Sequence, residues 1–180
     1  MRELKICVIG AGSTYSPELI DGFYTRQGQM KVKEFALMDI NMDRLEIVGG
    51  LIERMCQHYD NPPKVTKTND LVEAITGADY VVTQFRVGLL PARAKDEAIG
   101  LRYGYIGQET TGPGGFAKAL RTIPVILNIA KTMEKYAPNA KLVNFTNPSG
   151  IITEAVSRYS KVPVVGLCNG PLTTFKRTIK

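Results

Sequence analysis

With 180 residues, 44% hydrophobic and 22% charged, the chain is long enough to bury one good core and has the composition of an ordinary globular domain. The net charge of +6 would permit contact with nucleic acid, but the basic residues are scattered among acids, with no arginine-rich helix or aromatic–basic strand face. Nucleic acid is therefore not an expected partner, and the charge reads as a solvated surface with a few basic residues reserved for an anionic substrate. No apolar run approaches the ~20 residues of a membrane span, and no signal peptide is expected, because Met1 leads straight into the first predicted strand. Three cysteines without CxxC spacing argue against a disulfide framework and suit a reducing cytoplasm.

The first predicted strand, Lys5-Ile6-Cys7-Val8-Ile9, is apolar and rich in β-branched residues, and it runs directly into Gly10-Ala11-Gly12-Ser13-Thr14. A helix from Ser16 to about Gln27 follows, with Pro17 in its first turn, where a missing N–H costs little. Glycines in such a turn let the backbone approach a pyrophosphate, which sits on the free N–H groups of the helix N-terminus. The second predicted strand, Glu34 to Met38, ends at Asp39. A carboxylate there can accept both ribose hydroxyls of an adenosine, and its charge opposes a 2′-phosphate, which favours NAD over NADP. Gly10, Gly12, Ser13, Thr14 and Asp39 are thus the candidate NAD contacts. Tyr15 stands where the dinucleotide fingerprint has its third glycine, so the helix is expected to pack less closely on its strand.

Asp43 to about Tyr59 reads as a long amphipathic helix broken by Asn61-Pro62-Pro63, and Lys64 to Thr68 as a short strand. Asn69-Asp70 can cap the helix that runs to Ile75, and Tyr80 to Gln84 is a fourth strand. Ala92 to Tyr103 and Phe116 to Tyr136 read as helices, Lys141 to Asn144 as a strand, and Ser149 to Ser160 as a helix. Val162 to Leu167 closes the series as a strand, placed near an edge or at its start by Pro163. Six strands with helical crossovers predict an α/β fold: a Rossmann-like, doubly wound parallel sheet in the order 3-2-1-4-5-6, as one domain over residues 1–180.

In such a sheet the chemistry lies at the carboxyl ends of the strands, and the unusual residues fall there. Gln84-Phe85-Arg86-Val87-Gly88 and Arg93 follow the fourth strand, and Gly107-Gln108-Glu109-Thr110-Thr111-Gly112-Pro113-Gly114-Gly115 precedes the next long helix. Asn144-Phe145-Thr146-Asn147-Pro148-Ser149-Gly150 follows the fifth strand, and Cys168-Asn169-Gly170-Pro171 the sixth. Each alone has a plain structural explanation: a turn, a helix start, a cysteine as buried filler. Their crowding on one sheet edge is what points to a site.

The order of GAGS, MDI, Gly-Gln-Glu-Thr-Thr-Gly, Asn-Phe-Thr-Asn-Pro-Ser-Gly and Leu-Cys-Asn resembles glycoside hydrolase family 4, and within it the 6-phospho-β-glucosidase branch. The resemblance spans essentially the whole chain. The family is an exception to two-carboxylate glycoside hydrolysis. It implies oxidation of the sugar at C3 by NAD⁺, removal of the C2 proton by a tyrosine, and a divalent metal, usually manganese, to stabilise the enediolate. Elimination of the aglycone, addition of water and return of the hydride complete the cycle.

Matched by motif, Cys168 becomes a metal ligand, and Arg93 and Asn147 substrate contacts. Glu109 becomes the acidic group that raises the basicity of the tyrosine. Asn169 stands where the α-specific members of the family have a proton-donating aspartate. An amide cannot donate that proton, so Asn169 matches the β-specific pattern and is expected to bind substrate hydroxyls or shape the metal site. The family's histidine ligand and tyrosine base lie further downstream than Lys180, and His58 reads as a solvated helix residue. The chain therefore reads as the NAD-binding half of a longer enzyme, without the substrate and oligomerisation half and inactive alone. The resemblance also implies a bacterial cytoplasm and a dimer or tetramer. Two alternatives stand beside it: a 2-hydroxy-acid dehydrogenase of the malate or lactate type, and a non-catalytic NAD-binding module.

Overall fold

A computed structural model describes residues 2–170, 174–175 and 178–179. Strands β1 (Glu3–Ile9), β2 (Lys31–Met38), β3 (Lys64–Thr68), β4 (Tyr80–Thr83), β5 (Lys141–Asn144) and β6 (Val164–Gly166) alternate with helices. These are α1 (Ser16–Tyr24), α2 (Met42–Cys56), α3 (Leu71–Ile75), α4 (Leu89–Arg102), α5 (Gly112–Tyr136) and α6 (Ser149–Tyr159). The strands form one sheet in the order β3-β2-β1-β4-β5-β6, every pair parallel, as the sequence predicts.

Successive side chains on a strand face opposite ways, and this divides the core in two. Ile6, Val8, Phe35, Leu37 and Val82 face one layer, with Ile20 of α1 and Leu45 and Ile52 of α2. Cys7, Ile9, Ala36, Met38, Val81 and Leu142 face the other, with Ile75 of α3, Ile126 and Met133 of α5, and Ile152 of α6. Both faces of the sheet are covered, which is why its central strands read as continuous apolar runs. Helix α4 contributes to neither layer: its only buried residues are Asp96 and Gly100.

Several boundaries depart from the sequence expectation, among them that β2 begins at Lys31 and α2 ends at Cys56. Helix α5 starts at Gly112 rather than Phe116, because Gly112-Pro113-Gly114-Gly115 forms its first turn and not a loop. A Cβ at Gly114 would collide with the Gln108 carbonyl oxygen, and one at Gly115 with that of Thr110, so these glycines let the helix press onto the segment carrying Glu109. Helix α4 starts at Leu89, behind Gly88 in the left-handed region, and α1 stops at Tyr24. The edge strand β6 is only three residues long and begins after Pro163, whose carbonyl accepts from the Leu142 N–H at 2.8 Å. Pro171, the last residue of the Cys168 motif, lies outside the described residues.

Candidate functional site

The turn after β1 is built around two glycines. Gly10 has φ +87°, and a Cβ there would come within 2.8 Å of the Phe85 nitrogen. A Cβ on Gly12 would meet Asp39 Oδ2 at 2.9 Å. That carboxylate oxygen instead accepts the Gly12 N–H at 2.9 Å, while Oδ1 accepts the Asn41 N–H at 3.0 Å. Asp39 thus ties the glycine turn to the end of β2 and retains lone pairs for ribose hydroxyls. The Thr14 N–H has no partner among the described residues, and the Tyr15 side chain caps nothing. Tyr15 is largely exposed, so it is Ser16, fully buried, that faces the turn. The Ser16 hydroxyl donates to the Ala11 carbonyl at 2.8 Å and accepts from Gln84 Nε2 at 2.6 Å, joining the turn to the end of β4. A glycine cradle, an open helix N-terminus and a carboxylate at the next strand end fit a dinucleotide.

Next along the same edge, Thr146 Oγ1 accepts the Phe85 N–H at 3.2 Å, which aligns the loops after β4 and β5. Asn144, fully buried, organises the second loop. Its Oδ1 accepts from Thr83 Oγ1 and the Thr146 N–H, and its Nδ2 donates to the Thr146 carbonyl and to Thr153 Oγ1. Asn147, joined to Pro148 by a cis peptide, is half-buried, and its side chain has no hydrogen-bond partner among the described residues. The Leu167 N–H bonds the Asn144 carbonyl at 2.9 Å and brings Cys168 to the same edge.

Arg86 leads from this edge into a charged cluster. Glu109 Oε1 is 2.5 Å from Lys118 Nζ and 3.0 Å from Arg86 Nη1, and Oε2 is 2.8 Å from Arg93 Nη1. Arg93 also bonds Glu97 through Nε at 2.7 Å. Burial alone would raise the Glu109 pKa, but the hydrogen bond from Lys118 and the charges of Lys118 and Arg86 outweigh it and hold the carboxyl at about 2. Lys118 is nearly fully buried, and its pKa is lowered: burial outweighs its bond to Glu109, with the Arg86 and Arg93 charges adding to the fall. Behind the cluster, Asp96 takes both Nη atoms of Arg121, at 2.8 and 2.5 Å, and fastens α4 to α5.

The structure brings Arg93 and Glu109 into direct contact and gathers Gly10, Gly12, Ser13, Thr14 and Asp39 at one turn. Cys168 and Asn169 are exposed, and the Cys168 sulfur accepts the Gly170 N–H at 3.4 Å. Cys168 is one soft donor. Among the described residues no group of three His, Cys, Asp or Glu gathers to hold a metal, so these residues do not make a complete metal site. His58 is exposed just past α2, with Nδ1 2.7 Å from the Arg54 carbonyl. Sequence reasoning missed Lys118 and Ser16. Lys118 falls at the helical spacing of Gly115, Ala119, Thr122 and Ile126, all buried, and a lysine on a core stripe is a signal that can be read.

The family model described as family 4 glycosyl hydrolase covers residues 5–180. The chain belongs to this family. It is 56% identical over 174 residues to the probable 6-phospho-beta-glucosidase of Bacillus subtilis (strain 168), covering 95% of this chain and 39% of that protein. It is 48% identical over 174 residues to the 6-phospho-beta-glucosidase of Escherichia coli (strain K12), with the same coverage of 95% and 39%. The structure of the Thermotoga maritima 6-phospho-beta glucosidase with manganese, NAD⁺ and glucose-6-phosphate has a TM-score of 0.89 to it at 40% identity, covering 97% of this chain and 42% of that one. The family 4 chain therefore spans about two fifths of the length of the curated relatives it matches. Family membership favours the glycosidase reading over the 2-hydroxy-acid dehydrogenase. No helix among the described residues is long and apolar enough to cross a membrane.

Proposed function

We propose that this chain is the NAD-binding half of a 6-phospho-β-glucosidase that works by redox elimination. The observation that carries the reading is the junction of two sites along one sheet edge. The cradle of Gly10, Gly12 and Asp39 meets the loops holding Arg86, Asn147 and Cys168 through the Gly10–Phe85 and Phe85–Thr146 contacts. NAD⁺, when bound, supplies a reversible hydride acceptor.

The chain's own residues do the rest of their part by binding and orienting. Backbone N–H groups of the glycine turn hold the pyrophosphate, and Asp39 accepts the ribose hydroxyls. Arg93 and the Asn147 amide contact the sugar phosphate. Glu109, ionised at every physiological pH, presents a fixed negative charge and does not serve as a proton donor. In the whole enzyme that charge raises the basicity of a tyrosine base. Cys168 offers a divalent metal, manganese in the T. maritima relative, a single sulfur ligand. Asn169, an amide beside that sulfur, cannot protonate a leaving group, which supports the β-anomer. A phosphorylated substrate points to a bacterial cytoplasm, where phosphorylating sugar uptake delivers it.

The test places this segment in the B. subtilis relative, in exchange for the corresponding residues, and assays chromogenic 6-phospho-β- and 6-phospho-α-glucosides. Cleavage of the β-anomer only with both NAD⁺ and Mn²⁺, without net NADH, is expected, and no cleavage by the 180-residue chain alone. NADH accumulating without release of aglycone would refute the proposal in favour of a dehydrogenase.

A further inference from the structure

Glu109 is contested by three cations, and the geometry settles which of them holds it. Lys118 Nζ stands 2.5 Å from Oε1 on a side chain only 4% exposed. Arg86 Nη1 lies 3.0 Å from the same oxygen but off hydrogen-bond alignment, and it is buried without a hydrogen-bond partner among the described residues. Arg93 reaches Oε2 and shares itself with Glu97, with its side chain 42% exposed. One carboxylate thus faces two guanidinium groups and an ammonium. The ammonium arrives from α5, on the core side, whereas both guanidinium groups arrive from the β4–α4 segment at the sheet edge.

We propose that Lys118 is a positioning residue: by engaging Glu109 Oε1 from the core side, it leaves Arg86 and Arg93 with donors to offer an anionic sugar phosphate. The inference rests on the sugar phosphate binding at this edge. Without the ammonium, Glu109 is still buried and needs partners, and the nearest donors are the two arginines. They would turn inward onto Glu109 and be lost to the ligand. The charged groups facing Glu109 are Arg86 from the loop after β4, Arg93 from α4 and Lys118 from α5, with Glu97 of α4 facing Arg93.

The experiment compares the wild-type chain with Lys118→Met and Lys118→Arg. NAD⁺ and glucose 6-phosphate binding are measured by calorimetry, and the Glu109 carboxyl titration by carbon-13 NMR. In Lys118→Met, NAD⁺ affinity is expected to stay unchanged, which also shows the variant folded. Glucose 6-phosphate should bind roughly tenfold more weakly, as for loss of one charge-assisted hydrogen bond. The Glu109 titration should move upward from about 2, and Lys118→Arg should restore both readouts. Unchanged glucose 6-phosphate affinity in Lys118→Met, beside a wild-type chain that binds it, would overturn the positioning role alone. A wild-type chain that binds NAD⁺ but no glucose 6-phosphate would overturn the substrate reading of this edge, and the proposal with it.

Discussion

Replacing Glu109 by glutamine puts a neutral isostere where the protein keeps an ion, and the cost follows from the titration of the native carboxyl. That carboxyl is held at about 2 against an ordinary 4.5, although burial alone would push it up. At about 1.4 kcal/mol per pH unit, the ionised form stabilises the fold by about 3 kcal/mol relative to the neutral one. The folded-state pKa is depressed, so this contribution is fully present above pH 4.5 and is lost as the pH falls through about 2. Urea unfolding of Glu109→Gln at pH 7 should therefore give a free energy about 3 kcal/mol below wild type, or a melting point roughly 6–12 °C lower for a chain of this size. At pH 3 the gap should shrink to about half, and near pH 2 the two proteins should converge. A deficit under about 1 kcal/mol at pH 7, or a gap that does not narrow below pH 4.5, would refute the account of the cluster as a net stabilising ion cage.

The remaining expectations concern the cofactor turn, the thiols and the outer surface. Asp39→Ala removes both the carboxylate and its bond to the Gly12 N–H, and should weaken NAD⁺ binding by about tenfold to a hundredfold while lessening the preference over NADP⁺, read by fluorescence titration. Burial raises the Cys7 thiol to about 12 and the Cys56 thiol to about 11, whereas Cys168 is exposed. Iodoacetamide should therefore label Cys168 alone in the native chain and all three cysteines in denaturant, as counted by mass spectrometry. Leu90, Leu101, Tyr103, Ile106, Phe116 and Leu120 are exposed around α4 and the start of α5. Sedimentation velocity should show concentration-dependent self-association, and a clean monomer at high concentration would count against it.

What the sequence disclosed followed from how local its causes are. The β1 strand and the Asp70 cap of α3 lie within residues of their own signals: an apolar run, and a side chain that accepts the Val72 and Glu73 N–H groups. The glycine turn and Asp39 were legible for the same reason, since strand, turn and terminal carboxylate are sequential. The start of α5 was not, because glycines that permit close packing and glycines that permit a turn are the same letters, and only the approach of the 108–110 backbone tells them apart. The pairing of Lys118 with Glu109 escaped for a related reason: it forms only after α4 and α5 pack. The Ser16–Gln84 bond crosses most of the first half of the fold and leaves no trace in either local stretch.

Helix α4 is a panel latched by charge. Its only buried residues are an aspartate and a glycine, and its fastenings are the Asp96–Arg121 pair and the Arg93–Glu109 bridge. Apolar burial holds the sheet and its other helices through added salt, but ionic fastenings weaken under it. Added salt should speed amide exchange along α4 while leaving β1 and β4 untouched. Loosening α4 would then cost ionic contacts and leave the turn of Gly10, Gly12 and Asp39, which shares none of them, in place.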